Sequence, residues 1–350
     1  MIDTIISFPL DIERVIGDML RAERNDEWLK RAQLLHERYM GQGKNQGEPF
    51  LNDYTDALTY LALRVPATYA QILGAFSAVS EVVPSWIPKT MLDIGSGSGA
   101  GVWAVNAKFP SITQVTCVDE NPHVITIGKK ILNNLNLPIS VMWKKADVVR
   151  GIELEEQMFD VVLISNVLNE LNSEQREKVL GQAFNHCKGI MIVVEPGTPT
   201  GSAIAESVFY NFSHEIPIGP YVSNNLIDRK DYWLHFPQRF KRPEFLRRVR
   251  QYMRESQLMA SDWEEAKYSY AAVGKILPEI KPWGRCVGNV ELQKGFLEVM
   301  ILTQNELFKI KVMKRYKKQY NFAKNLRWGE IILHKFLLYD TLREAYESPS

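Results

Sequence analysis

The chain has 350 residues, 45% of them apolar, and 42 Lys and Arg stand against 41 Asp and Glu for a formal net charge of +1. That is enough chain to bury a substantial core, as one large domain with appended parts or as two domains. No apolar run approaches the roughly 20 residues needed to cross a bilayer, and the first 20 residues are acidic where a targeting peptide would be basic, so a soluble, cytoplasmic protein with no membrane partner is expected.

Residues 1 to 88 carry apolar residues at helical spacing in IERVIGDML, WLKRAQLLHERYM and DALTYLALRVPATYAQILGAFSAVSEVV. GQGKNQGEP breaks the pattern and Pro84 and Pro88 close it, which predicts an N-terminal helical cap. TMLDIG, QVTCVDE, ISVMWKKAD, FDVVLISNVL and GIMIVVEPG then follow as apolar runs of strand length, most of them separated by amphipathic stretches. Such alternation predicts a parallel, doubly wound α/β sheet. After Gly201 the pattern loosens, and KYSYAAVGKI (267–276) reads as a returning edge strand of the same sheet. Last come three β-rich runs, RCVGNVEL, FLEVMILT and LFKIKVMKRY, parted by turn signals at Gly288-Asn289, Lys294-Gly295 and Gln304-Asn305. They predict a small antiparallel appendage. The expected division is therefore a cap at 1–88, a Rossmann-like domain at 89–280 with an insert at 214–245, and an appendage with a basic helical tail at 281–350.

The near-neutral net charge hides an asymmetry. Residues 1 to 200 hold 18 basic and 24 acidic side chains, and residues 201 to 350 hold 24 and 17. Two segments concentrate the excess, RKDYWLHFPQRFKRPEFLRRVR (229–250) and FKIKVMKRYKKQYNFAKNLRW (308–328); the second has eight basic residues and no acidic one. Either run alone can be the solvated face of a helix. Two runs interleaved with Tyr and Trp favour a surface for a polyanion.

The stretch MLDIGSGSGAGVWAVN reads as strand, tight turn and helix start. Its spacing satisfies two loops at once. Gly95, Gly97 and Ala100 fit the dinucleotide fingerprint in its alanine form, whereas Asp93, Gly95, Gly97 and Gly99 fit the acidic-Gly-x-Gly-x-Gly loop of S-adenosylmethionine enzymes. In an open parallel sheet the ligand lies across the carboxyl ends of the strands, so the residues just after each apolar run are informative. Asp93 can hold the loop or meet an ammonium group. Asp119 closes the second run, where a carboxylate accepts hydrogen bonds from both ribose hydroxyls of either cofactor. Asp147 ends the third and can accept from an adenine amino group. Ser165 and Asn166 end the fourth, over the centre of the sheet.

Together the acid, the glycine loop, the ribose acid, the Asp147 turn and SNVLNEL resemble the class I S-adenosylmethionine-dependent methyltransferases. Further segments, YLALRVPATYA, VVEPGTPTG, YWLHFPQR, YSYAAVGK and FAKNLRWGEI, stand in the order that resembles the methyltransferase-like family of small-ribosomal-subunit assembly proteins, from about residue 51 to 335. The resemblance implies a class I methyltransferase fold with S-adenosyl-L-methionine held by Asp93, Gly95, Gly97, Gly99, Asp119, Asp147 and Asn166. It also implies a partner in small-subunit ribosomal RNA or a pre-ribosomal particle.

The chain departs from that family at its metal site. Members commonly carry four cysteines for an iron–sulfur cluster, yet Leu234 stands in the pattern where one would lie and Leu302 where the last would lie. Cys117, Cys187 and Cys286 are odd in number, far apart and without a Cys-x-x-Cys pair, so no disulfide framework or zinc site is suggested. Cys117 falls in an expected strand and Cys187 in the loop before another, neither able to substitute, so no metal cluster is expected. No cysteine stands near the fourth or fifth strand end as a nucleophile for cytosine carbon, and SNVLNEL lacks the prolines of an amine-orienting turn. Glu195 and His235 are the remaining polar candidates; a loop contact suits the first and simple packing the second. No catalytic residue is therefore assigned. A small-molecule methyltransferase closed by the helical cap is the alternative reading.

Overall fold

The computed structural model describes residues 5–23, 26–39, 51–221, 232–253, 261–304 and 306–334. A two-residue strand, β1 (Ile6–Ser7), precedes three helices, α1 (Leu10–Arg21), α2 (Glu27–Tyr39) and α3 (Tyr54–Val82). Asp53 caps α3 by accepting from the Asp56 N–H at 2.8 Å, and its carboxylate also meets Arg31 of α2 at 2.6 Å. The cap is thus helical as expected, except that β1 joins the main sheet. Two residues are too few to carry a periodic signal, and the pairing depends on a strand more than 200 residues later. The segment 41–49 that breaks the helical pattern lies outside the described residues.

The core alternates β2 (Thr90–Ile94), α4 (Ala100–Lys108), β3 (Gln114–Asp119), α5 (Pro122–Asn133), β4 (Ser140–Lys145), β5 (Phe159–Ser165), α6 (Ser173–Asn185), β6 (Cys187–Pro196) and α7 (Pro199–Asn211). Cys187 therefore opens a strand and does not lie in the loop before it. Strands β7 (Ile216–Gly219) and β8 (Phe236–Lys241), helix α8 (Glu244–Tyr252) and strand β9 (Trp263–Gly274) complete this layer. The sheet runs β1-β8-β9-β6-β5-β2-β3-β4, with β7 also paired to β9. Strands β4, β3, β2, β5 and β6 are mutually parallel, while β9 lies antiparallel to β6, β7 and β8. Two expectations change here. The segment 267–276 is an interior strand, not an edge, because β7, β8 and β1 lie beyond it, and the region expected as an insert supplies two strands of the sheet. Strand β9 is buried along most of its length, and its apolar run YAAV suits a central position.

Helix α3 is the packing element of the cap. It buries 19 of its 29 residues and makes contact with α2, α4, α5 and β9. Gly74 on this helix leaves room for Tyr268, since a methyl group there would stand 2.5 Å from the Tyr268 hydroxyl. Strands β2, β3, β5 and β6 are apolar and buried in their interiors, as strands covered by helices on both faces are, whereas β4, at the edge of the sheet, buries none of its residues and leaves Met142 57% exposed.

The appendage is an antiparallel sheet of five strands, β10 (Gly284–Cys286), β11 (Glu291–Leu292), β12 (Phe296–Thr303), β13 (Leu307–Met313) and β14 (Ile331–Ile332). A short helix, Lys317–Lys324, precedes β14. The first expected run splits in two, with β10 pairing the end of β12 and β11 its beginning. Gly295 turns the β11–β12 hairpin at φ +93. Asn305 of the last expected turn and residues 335–350 of the expected tail lie outside the described residues. This sheet has its own core of Leu297, Val299, Ile301, Ile310, Val312 and Ala323, but Val287 and Leu302 belong to the main core. No helix among the described residues is long and apolar enough to cross a membrane.

Candidate functional site

Strand β2 delivers the chain to the glycine loop at the carboxyl edge of the sheet. Gly95, Gly97 and Gly99 all take left-handed backbone conformations, φ +66, +54 and +99, which side chains disfavour. A methyl group at Gly95 would collide with Val167 Cγ2, so that glycine also lets the loop seat against the turn after β5. Around Gly97 a methyl group would meet nothing within 4 Å. The loop is tied to the next strand: the Gly95 and Ser96 N–H groups donate to the Val118 carbonyl at 2.8 and 3.0 Å, and the Gly97 N–H donates to Asp119 Oδ2 at 2.8 Å.

The strand registers bring most of the expected residues together. Ile94 lies beside Val118 and Ile164, Asp119 beside Lys145, and Ser165 beside Val194. Asp93, Asp119, Asn166 and the loop therefore share one edge, with Asp147 two residues beyond β4. Asp93 is 2% exposed and its Oδ2 has no hydrogen-bond partner. Burial, with Asp119 nearby, pushes its carboxyl up to about 8. Asp119 accepts from Gly97 and, through Oδ1, from the Asn121 N–H at 2.9 Å; burial raises it above the ordinary range despite those bonds. Asp147 serves its own turn, accepting from the Val149 N–H at 2.9 Å and pairing with Arg150 at 3.1 Å.

Asn166 adopts φ +56, and its amide donates to Gln71 Oε1 at 3.1 Å. Gln71 in turn donates to the Lys267 carbonyl at 2.8 Å, so α3, β5 and β9 are bolted together at the site. Sequence reasoning missed Gln71. The available signal was one amide within the apolar run YAQIL, a polar group that a buried helix face must satisfy.

The two remaining candidates hold structure. Glu195 is fully buried, accepts from the Leu168 N–H at 3.0 Å and so fastens the short helical turn after β5; burial lifts its carboxyl to about 8. His235 is 7% exposed and tilted against Trp328, with ring centroids 4.9 Å apart, and burial lowers its pKa.

Asp93 Oδ2, without a partner, packs against Gly101 at the start of α4, and the open space at the left-handed Gly97 beside the Asp119 carboxylate fits a ligand with vicinal hydroxyls. The residues present suit S-adenosylmethionine on those grounds. Among the described residues no group of three His, Cys, Asp or Glu is placed to hold a metal. Leu234 and Leu302 are both buried in the main core.

The basic runs divide by burial. Arg242 and Arg250 are 4% and 8% exposed and both pair with Glu264, at 2.8 and 3.0 Å. Those two cations of the first run are internal and serve no surface; residues 229–231 of that run lie outside the described residues. In the second run Lys309 pairs with Glu298 at 2.9 Å, and the half-buried Tyr320 packs on the appendage core. Lys314, Arg315, Lys317 and Lys318 are exposed.

The family model for the mitochondrial small ribosomal subunit protein Rsm22 matches residues 54–332. The human mitochondrial ribosome assembly protein METTL17 is 27% identical over 161 residues, covering 43% of this chain and 34% of its own length. The mitochondrial Rsm22-cox11 tandem protein 2 of Schizosaccharomyces pombe is 25% identical over 171 residues, covering 45% of this chain and 23% of its own. This chain thus spans about a third or less of those two relatives. Among solved structures, the plantazolicin methyltransferase BpumL in complex with SAH aligns over 76% of this chain and 96% of its own at 12% identity, with a TM-score of 0.37.

Proposed function

The chain belongs to the Rsm22 family of mitochondrial small ribosomal subunit proteins, and from that premise we propose that it is an S-adenosylmethionine-dependent RNA methyltransferase or methyltransferase-like factor acting on small-subunit ribosomal RNA during ribosome assembly. The observation that carries the cofactor is the edge formed by Asp93, the three left-handed glycines and Asp119. Asp93 receives the cofactor's ammonium, Gly95, Gly97 and Gly99 let its backbone-facing side approach, and Asp119 accepts from the ribose hydroxyls. Asp147 keeps lone pairs beyond those used by Val149 and Arg150 for an adenine amino group, and Asn166, braced by Gln71, lines the edge toward the acceptor. When bound, the cofactor supplies a methyl group made electrophilic by the sulfonium; the protein's part is to orient it and exclude water.

The RNA partner is supported by the exposed cations of the second basic run. Lys317 and Lys318 occupy the first turn of their helix, which has no acidic residue there. The helix dipole favours anions at that end, so two lysines in the first turn are a local cost that a bound phosphate offsets. The relatives' mitochondrial names bear on the expected cytoplasmic location, and cell fractionation decides between the two. Titration calorimetry with S-adenosylhomocysteine tests the cofactor: Asp119→Ala weakens binding by about 1–3 kcal/mol, the cost of unpaired hydroxyls. Unchanged affinity removes Asp119 from the site. RNA binding that is weak and insensitive to salt moves the reading to a small-molecule methyltransferase.

A further inference from the structure

The two basic runs are separated by 57 residues (251–307) in sequence, yet they meet. The Trp328 indole N–H donates to the His235 carbonyl at 2.9 Å, and between the strands β8 and β9 and the appendage opens a cleft of about 380 Å³. Arg239, Lys267 and Arg327 line it against the carboxylate of Glu265, with Asn289 and Trp328 completing its polar and aromatic walls. Arg239 is held in place, its guanidinium 4.7 Å above the Trp263 ring and 3.4 Å from Glu265. Lys267 is exposed.

Beside the cleft stands an aromatic ladder. Trp233 lies parallel to His235 at 5.7 Å and 20°, and His235 leans on Trp328. Trp233 is 43% exposed, and its indole N–H donates to the Gly197 carbonyl at 3.3 Å, while the Gly197 N–H donates to the Lys267 carbonyl. The exposed ring is thereby tied, through Gly197, to the Lys267 main chain. The same Lys267 carbonyl receives Gln71, the partner of Asn166, so the cleft sits within two side chains of the cofactor edge.

We propose that this cleft, together with the Trp233 ring that His235 links to the cleft wall at Trp328, is the seat for an unpaired nucleotide of the RNA, its base stacked on Trp233 outside the cleft and its flanking phosphates held within it by Lys267 and Arg327. A preordered ring beside cations is what single-stranded RNA recognition uses, since every base offers a π face and every linkage a charge. The volume lies within the roughly 300–1,000 Å³ of small-ligand sites. The proposal rests on the RNA reading above and adds to it a place: the nucleotide is delivered to the side of the sheet where the methyl donor sits.

The test uses the full chain and a fluorescent 12-nucleotide single-stranded RNA, alongside the same oligonucleotide with abasic sites. Trp233→Leu lowers affinity for the intact strand about tenfold, leaves its salt dependence unchanged, and has no effect on the abasic strand; Trp233→Phe restores most of the loss. Lys267→Ala lowers the slope of log affinity against log salt by about 0.7 on both strands. Near-ultraviolet circular dichroism verifies that each variant folds. If wild-type protein binds RNA but Trp233→Leu matches it, or the abasic strand binds as tightly as the intact one, the cleft assignment is overturned while the RNA reading stands. If wild-type protein binds RNA no better than an unrelated protein of similar charge, both fall. Equal competition by an acidic peptide and the intact strand also overturns it, in favour of a protein partner.

Discussion

Replacing Asp93 by asparagine tests the part proposed for a buried carboxylate at the cofactor edge. Its carboxyl sits at about 8 because of burial, against an ordinary 3.8. The folded protein therefore keeps this proton between those values while the unfolded chain releases it, so the group's contribution to stability is greatest below about pH 4 and declines as pH rises to about 8. A cationic ligand reverses the preference, since binding requires the ionised form. At pH 6 the ligand must expel a proton across about two pKa units, a cost of about 3 kcal/mol at 1.36 kcal/mol per unit. Wild-type affinity for S-adenosylhomocysteine should accordingly rise close to tenfold per pH unit from 6 toward 8 and then level. Calorimetry in buffers of different ionisation enthalpy should find about one proton released per ligand at pH 6. The Asp93→Asn variant has no carboxyl to ionise there: its affinity should be flat with pH and, at pH 8, lower by about 1.5–3 kcal/mol, the worth of a hydrogen bond to a charged group. A wild-type affinity independent of pH between 6 and 8, or a variant that keeps the wild-type slope, would refute the assignment of Asp93 to the ligand's ammonium.

Gly97→Ala should cost only about 1 kcal/mol of stability, the strain of its left-handed backbone in open space, yet abolish detectable cofactor binding; Gly95→Ala, which collides with Val167, should lower the melting temperature markedly. Thermal melts paired with calorimetry separate the two. Glu195→Gln should be nearly neutral to stability at pH 5 and stabilising at pH 8, because Glu195 is held near 8 by burial and loses stability as pH climbs from about 4.5; a melting temperature below wild type at pH 8 would contradict it. Changing Lys317 and Lys318 together to Ala should reduce the salt slope of RNA binding by about 1.4, two phosphate contacts, with cofactor affinity unchanged. An intact slope would return these lysines to an ordinary solvated helix face.

The doubly wound core was legible in the sequence, and so were the residues that share the proposed cofactor edge. Both are written locally: strand-length apolar runs such as FDVVLIS dictate burial on two faces, and the spacing of Asp93 with its glycines and Asp119 follows from one strand-turn-helix unit and the next strand. The five parallel strands β2 to β6 and the register that aligns Ile94, Val118 and Ile164 accord with that reading. Tertiary structure alone decided what depends on distant partners. It made Ile6–Ser7 a strand by pairing it with Phe240–Lys241, and it made β9 an interior strand by adding β8 and β7 beyond it. It also sorted the cations: Arg242 and Arg250 look in sequence like members of a basic face, but Glu264 on β9 draws them inward, whereas Lys267, from neither run, joins Arg239 and Arg327 at one cleft. Charge and periodicity report what a segment can do with water or an apolar core. Which carboxylate, carbonyl or ring stands opposite a side chain is set by how strands and helices far apart in the chain are brought into register, and that information is not local.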